Sequence, residues 1–194
     1  MNTLAEAKAE ADVMCTSANA TKVVSNIDND QILFGPDVNL AAFVKKHCPD
    51  KEIIPIPKEG FCYVHRRYSK EDVNHWRGEL PNAKIIVHPE CDIDVQDAAD
   101  AVCSTSQMVT YVKSSDAQEF VIGTEIGLIS YLQREIPGKK YYPLLLDAIC
   151  GTMKKIFLKD VIKSLKKKQH IVKVDKKIAD PARKAIDRMF ELTA

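Results

Sequence analysis

The sequence predicts an α/β protein built from tandem three-layer α/β/α units with parallel sheets. Two observations predict it. Short β-branched apolar runs alternate with amphipathic helical stretches, and the whole alternation recurs 88 residues further on. Strand alternating with helix implies a parallel sheet covered on both faces.

The repeat is ungapped. Ala11-Asp12-x-x-Cys15-Thr16-Ser17 falls on Ala99-Asp100-x-x-Cys103-Ser104-Thr105, and ILFGPDVNLAAFV (32–44) falls on FVIGTEIGLISYL (120–132). Pro49, Lys51, Pro55 and Cys62 meet Pro137, Lys139, Pro143 and Cys150, giving 11 identities over Ala11–Cys62. So many small, acidic and cysteine positions in one register point to a tandem duplication.

Each copy reads the same way in order. A helix (4–11; 95–101) leads to a Ser/Thr turn and a second helix (18–25; 107–114). A strand (31–34; 119–122) then ends in glycine and an acid. A further helix (39–47; 128–134) and a short strand (53–56; 141–145) lead to the cysteine. The second copy starts earlier, with a turn and buried strand at Pro81–His88. Shifted back by 88 residues, that strand would fall before Met1. The first copy is therefore expected to lack a core strand, and the N-terminus to be truncated. The apolar surface so exposed would be worth several kcal/mol at about 25 cal/mol per Å². After Cys150 the pattern changes to basic amphipathic helices at 158–168 and 181–192, the second opened by Asp180-Pro181, with a short strand expected at 170–174. The organisation expected is 1–64, 65–150 and a helical extension, 151–194.

With 45% hydrophobic residues, 28% charged residues and a net charge of +1, the sequence carries no basic footprint for nucleic acid. No apolar run approaches the roughly 20 residues that cross a bilayer, and MNTLAEAKAEAD lacks the apolar segment of a signal peptide. A cytoplasmic protein without membrane or nucleic-acid partners is expected. Six cysteines without a CxxC pair argue against a disulfide framework.

Chemistry-bearing residues gather after the strands, where α/β sheets bind ligands. Cys62 and Cys150 occupy the same place in each copy, in polar or glycine-containing loops. They are either packed thiols retained from duplication or two ligands meeting near a pseudo-symmetry axis, too few by themselves for an iron–sulfur cluster. Cys15 and Cys103 follow helices and read as packed thiols; Cys48 and Cys91 have no partner in the repeat. His88-Pro89-Glu90 leaves the strand 84–87 as an anion contact and general base, or as a polar loop. The turns Thr16-Ser17 and Ser104-Thr105 open helices and offer either anion binding or simple capping. Cys62-x-x-His65 suggests zinc, but no second close pair accompanies it.

Taken together, the strings EADVMCTSAN, ILFGPDVNL, GFCYVH, KIIVHPECD, STSQM, GTEIGL and CGTMKKI resemble the quinolinate synthase family in order and spacing, from Asn2 to the C-terminal helix. The resemblance implies a pseudo-threefold fold of three similar α/β domains, two of them present here. Each domain would give one cysteine to a [4Fe–4S] cluster, with Cys62 and Cys150 as two of the ligands and the third in a missing N-terminal domain. It implies condensation of iminoaspartate with dihydroxyacetone phosphate to quinolinate, in de novo NAD biosynthesis. L-aspartate oxidase or aspartate dehydrogenase would be a candidate supplier of iminoaspartate. By similarity Glu90 would be the acid/base group and His88 would bind a substrate carboxylate. Asn2, Ser17, Ser104 and Thr105 would contact substrate or product. Departures are the absent N-terminal domain, the tyrosine usually found ahead of Asn2, and Cys103 where the family commonly has glycine. Alternatives are a non-catalytic metal- or metabolite-binding α/β subunit that pairs with a separate first domain, and a sugar-phosphate-binding protein whose cysteines are structural.

Overall fold

A computed structural model describes residues 3–194. Asn2, a candidate contact, lies outside the described residues. The elements run α1 (Ala5–Ala9), α2 (Ala20–Ser25), β1 (Gln31–Phe34), α3 (Val38–His47), β2 (Glu52–Pro55), α4 (Lys70–Glu79) and β3 (Lys84–Val87). Then follow α5 (Ile93–Ala98), β4 (Ala101–Val102), α6 (Thr105–Ser114), β5 (Glu119–Gly123), α7 (Gly127–Glu135), β6 (Lys140–Pro143), α8 (Leu158–Lys167) and α9 (Lys176–Thr193).

Every strand pairing described is parallel. β1 pairs with β2, and a four-stranded sheet has the order β4-β3-β5-β6. In the larger sheet Ile86, Phe120 and Ile122 form one core with Met108 and Val112 of α6 and Leu128, Ile129 and Leu132 of α7. Their neighbours Ile85, Val87 and Val121 are also fully buried, so the opposite face is covered as well. The smaller sheet buries Phe34 with Ala20 and Val24 of α2 and Leu40, Ala41 and Val44 of α3.

The duplication is visible bond by bond. Lys51 Nζ donates to the carbonyls of Ile27 (2.7 Å) and Asn29. Its counterpart Lys139 donates to those of Val112 (2.7 Å) and Ser115. The Thr16 amide donates to Asn19 Oδ1 at 2.7 Å, and the Ser104 amide to Gln107 Oε1 at 2.9 Å. Val38 N donates to Gly60 O at 2.8 Å, and Ile126 N to Ala148 O at 3.0 Å. The equivalent positions at spacing 88, identical at Lys51 and Lys139 and substituted elsewhere, are therefore frame positions that hold the loops.

The chain divides into two compact units. Cys15–Ile149 holds both sheets; the other unit is the described part of Met1–Met14 with Cys150–Ala194. This division by compactness cuts the chain differently from the repeat boundaries. In the second unit α1 packs on α9, the Met14 amide donates to Ala185 O at 3.0 Å, and Ala182, Ala185 and Met189 are buried.

Several sequence expectations need correcting. The helix expected at 95–101 ends at Ala98, because Ala101–Val102 pairs with β3. α9 starts at Lys176, with Asp175 accepting from Lys177 N at 2.8 Å; Pro181 lies inside it rather than opening it. No strand forms at 170–174, where every side chain is exposed. α4 was not expected; Ser69 and Asp72 cap it reciprocally.

Candidate active site

The Cys62 loop is fixed by backbone geometry. The segments leaving β1 and β2, each with a cis X–Pro bond (Gly35–Pro36, Ile56–Pro57), cross at close range. A Cβ on Gly35 would fall 1.9 Å from Ile56 O, and one on Gly60 1.9 Å from Pro36 O, so only glycine fits at either position. Asp37 then does two jobs. One carboxylate oxygen caps α3 by accepting from Leu40 N (2.8 Å), and the other accepts from Cys62 N (2.8 Å). Burial pushes its pKa up against the pull of the Leu40 amide.

Three residues after Cys62 a short 3-10 turn, His65–Arg67, buries the His65 ring. Its Nδ1 lies 3.0 Å from Glu90 Oε2 and its Nε2 2.9 Å from Thr124 Oγ1. The Tyr68 hydroxyl donates to the Thr124 carbonyl at 2.6 Å. The ring stacks on His88, with centroids 4.2 Å apart and planes at 10°. Residues leaving β2, β3 and β5 thus meet at the carboxyl ends of their strands.

The two stacked histidines differ in charge. Burial alone would lower His65, but hydrogen bonds to Cys62 and Glu90 outweigh it and raise its pKa to about 9. Burial, then the positive His65 ring, brings His88 down to about 3. The Glu90 amide donates to His88 Nδ1 at 3.2 Å, which assigns the His88 proton to Nε2. Glu90 is lowered: burial would raise it, but the His65 hydrogen bond and the His88 and His65 rings prevail. Near neutral pH the site is an ionised carboxylate between an imidazolium and a neutral imidazole. Its backbone is held as well. Asn39 Nδ2 donates to Glu90 O (3.2 Å) and Asp92 Oδ1 (2.7 Å), while Gln96 Nε2 donates to the carbonyls of Pro89 (3.0 Å) and Cys91 (2.7 Å).

Of the expected site residues, the fold brings Cys62, His88 and Glu90 together. Ser104 is buried as the cap of α6, in a reciprocal pair with Gln107, and Thr105 is exposed at the first helical position. Gln107 Nε2 reaches Ala18 O at 3.3 Å, which sets the half-buried Ser17 turn beside this one. Ser104 stands two residues past β4, the parallel neighbour of β3, so it shares a rim with His88. Cys150 is half-buried and belongs to the other compact unit.

His65, Thr124 and Asp37 carry no assigned role in the sequence reading, although the last two follow strands and so fall on the ligand-binding rim. The Cys62-x-x-His65 spacing was the available signal for the first.

The thiols differ in ways that bear on metal binding. Cys15 and Cys103 pack against the two cores, Cys48 and Cys91 are buried, and burial raises the pKa of all four. Cys62 sits instead at a half-buried loop position, open on the strand-end side and hydrogen-bonded to His65. It fits ligation to an iron–sulfur cluster in donor type and setting.

The pattern of the family described as Quinolinate synthetase A protein matches residues 1–191. The chain is 46% identical to a quinolinate synthase of Methanocaldococcus jannaschii over 99% of its own length and 64% of the relative's. It is 48% identical to one of Methanothermobacter thermautotrophicus (100% and 63%) and 45% to one of Alkaliphilus metalliredigens (99% and 63%). It thus spans about 63% of the length of the curated relatives it matches.

Proposed function

The chain belongs to the quinolinate synthetase A family, and from that premise we propose that it carries the acid/base centre and two cluster ligands of a quinolinate synthase. The reaction is condensation of iminoaspartate with dihydroxyacetone phosphate, with loss of phosphate and water, in NAD biosynthesis. The observation that carries this reading is the carboxylate of Glu90, locked by His65 between Cys62 and neutral His88 at the strand ends.

Cys62 and Cys150 would hold a [4Fe–4S] cluster together with a third thiolate from outside these 194 residues. With three protein ligands such a cluster supplies an open iron site, a Lewis acid for a substrate hydroxyl.

This chain's own residues do the rest. Glu90, kept ionised by His65, accepts a proton at the oxygen His65 does not engage and returns it to a leaving hydroxyl. His88, neutral with its proton on Nε2, donates to a substrate carboxylate without adding a charge beside His65. Thr105 presents a hydroxyl and backbone amide at the positive end of α6, and Ser17 adds a second hydroxyl from the adjacent turn. Ser104, buried in its cap, positions that helix end, and Asn2 would contact substrate ahead of α1.

Among the described residues no helix is long and apolar enough to cross a membrane. We read the protein as cytoplasmic, free of membrane and nucleic-acid partners, with L-aspartate oxidase or aspartate dehydrogenase as the source of iminoaspartate. We also read 1–64 and 65–150 as the two repeats and 151–194 as an extension.

Anaerobic reconstitution with iron and sulfide tests this, using the chain supplied with the remaining third of a relative. Brown cluster absorbance is expected. Cys62→Ser or Cys150→Ser should abolish it, while Cys15→Ser and Cys103→Ser leave it. A cluster retained in either of the first two would overturn the ligand assignment.

A further inference from the structure

Three electron-pair donors converge within the larger compact unit. Sγ of Cys62, a ring nitrogen of His65 and a carboxylate oxygen of Glu90 all lie within 4.8 Å of one another. The His65 ring is oriented from behind: Nε2 is 2.9 Å from Thr124 Oγ1, and the Thr124 carbonyl is pinned by Tyr68. When Nε2–H donates to Thr124, the Nδ1 lone pair faces Glu90 Oε2 at 3.0 Å. Two acceptors in that relation need a hydrogen or a metal between them. A ligating histidine held by an acceptor on its other nitrogen is the usual support of a metal site.

The sequence offered no second close pair to go with Cys62-x-x-His65. The fold supplies a third donor, Glu90, from the strand that follows.

We propose that, without a cluster, Cys62, His65 and Glu90 bind one divalent transition-metal ion of the zinc class, leaving its fourth position open. Thiolate, imidazole and carboxylate form a borderline-soft donor set that suits zinc or cobalt better than magnesium or calcium. Ligand bonds of about 2.0–2.3 Å set donors roughly 3.3–3.7 Å apart around a tetrahedral ion, so the sulfur closes by at most about an ångström while the His65–Glu90 pair, now 3.0 Å apart, opens slightly. The metal takes the cysteine as thiolate and displaces the hydrogen between His65 and Glu90, so binding releases protons to solvent. Cys62 is common to this site and to the cluster, so the two occupants exclude each other. Cys150 takes no part, which separates this proposal from the cluster reading.

The test is a Co²⁺ titration of the purified 194-residue chain, free of iron and kept anaerobic. The expected result is one Co²⁺ per chain with a thiolate-to-cobalt charge-transfer band, displaced by Zn²⁺. Cys62→Ser should remove the band, His65→Gln should weaken binding at least tenfold, and Thr124→Val should weaken it roughly 10- to 100-fold. Cys150→Ser should change nothing. Circular dichroism confirms that each variant is folded, and Thr124→Val, which touches no ligand atom, keeps the test open if Cys62→Ser does not fold. Absence of the band, or its survival in Cys62→Ser, would overturn the proposal. Loss of the band in Cys150→Ser would also overturn it, while supporting the pairing of the two cysteines that the cluster reading needs.

Discussion

The two copies of the repeat share a frame and differ in what they bury and what they carry. In the second copy β3 lies between β4 and β5, and Ile85, Ile86 and Val87 are wholly buried. In the first, the described sheet is β1 beside β2 alone, and Leu33 is 66% exposed. Yet the lysine, turn and strand-end hydrogen bonds recur at the same spacing. The backbone frame does not depend on how deeply each sheet is buried. The chemistry follows neither copy alone: the first supplies Cys62 and the second supplies Glu90. At the position 88 residues after His65 stands Met153, so the second cysteine loop has no equivalent histidine.

The largest expected effect probes that division of labour. In an enzyme completed with the remaining third of a relative, Glu90→Gln should lower turnover roughly 10²- to 10⁴-fold with the cluster spectrum unchanged. Near-normal quinolinate production would show that the second copy does not supply the acid/base group.

Next comes the sheet contrast, read by urea denaturation. Ile86→Ala should cost about 2–5 kcal/mol, against roughly 0.5 kcal/mol or less for Leu33→Ala. Equal losses would erase the difference in burial between the copies.

Asp37 and Glu125 are counterparts that have diverged. Asp37 caps α3 and holds the Cys62 amide, whereas Glu125 accepts from Gly127 N at 2.8 Å. Asp37→Ala should cost about 2–3 kcal/mol and Glu125→Ala about 1 kcal/mol. A larger loss at Glu125 would reverse the assignment of which acid anchors its loop.

The charge contrast between the two stacked rings is read by the pH dependence of the metal-free chain. His88 sits at about 3 when folded against 6.5 as a free side chain, so the unfolded chain binds its proton more readily. Stability should therefore fall as pH drops from about 6.5 toward 3, and His88→Gln should flatten that limb. His65 is raised to about 9, so its contribution is full below about 6.5 and is lost as pH rises through 9. Denaturation midpoints of His88→Gln and His65→Gln across pH check the two limbs separately, and identical profiles would remove the charge difference between the rings.

Much of this was legible in the sequence. β1, β5 and the cores around them follow from β-branched runs next to amphipathic helices. His88 and Glu90 were visible because a buried strand ends at them. What was not legible lacked a period or required space. β4 has two residues, too few to alternate, so in sequence it continues the pattern of the preceding helix. α4 buries only Val73, leaving no apolar stripe to recognise. The cap at Asp175 was missed because Asp180-Pro181 offers the same signal five residues later. His65 joins Glu90 only through the fold, across 25 residues of chain.

The crossing at Gly35 and Gly60 has a practical consequence. The course of the cysteine loop is written in main-chain geometry and in the Asp37 bond to the Cys62 amide, so it should tolerate changes in the side chains next to the thiol. Phe61 and Tyr63 flank Cys62 and are each 48% exposed. Phe61, whose ring carries the Arg66 guanidinium 4.3 Å above it, should accept another aromatic residue while the backbone of the loop stays where the crossing puts it.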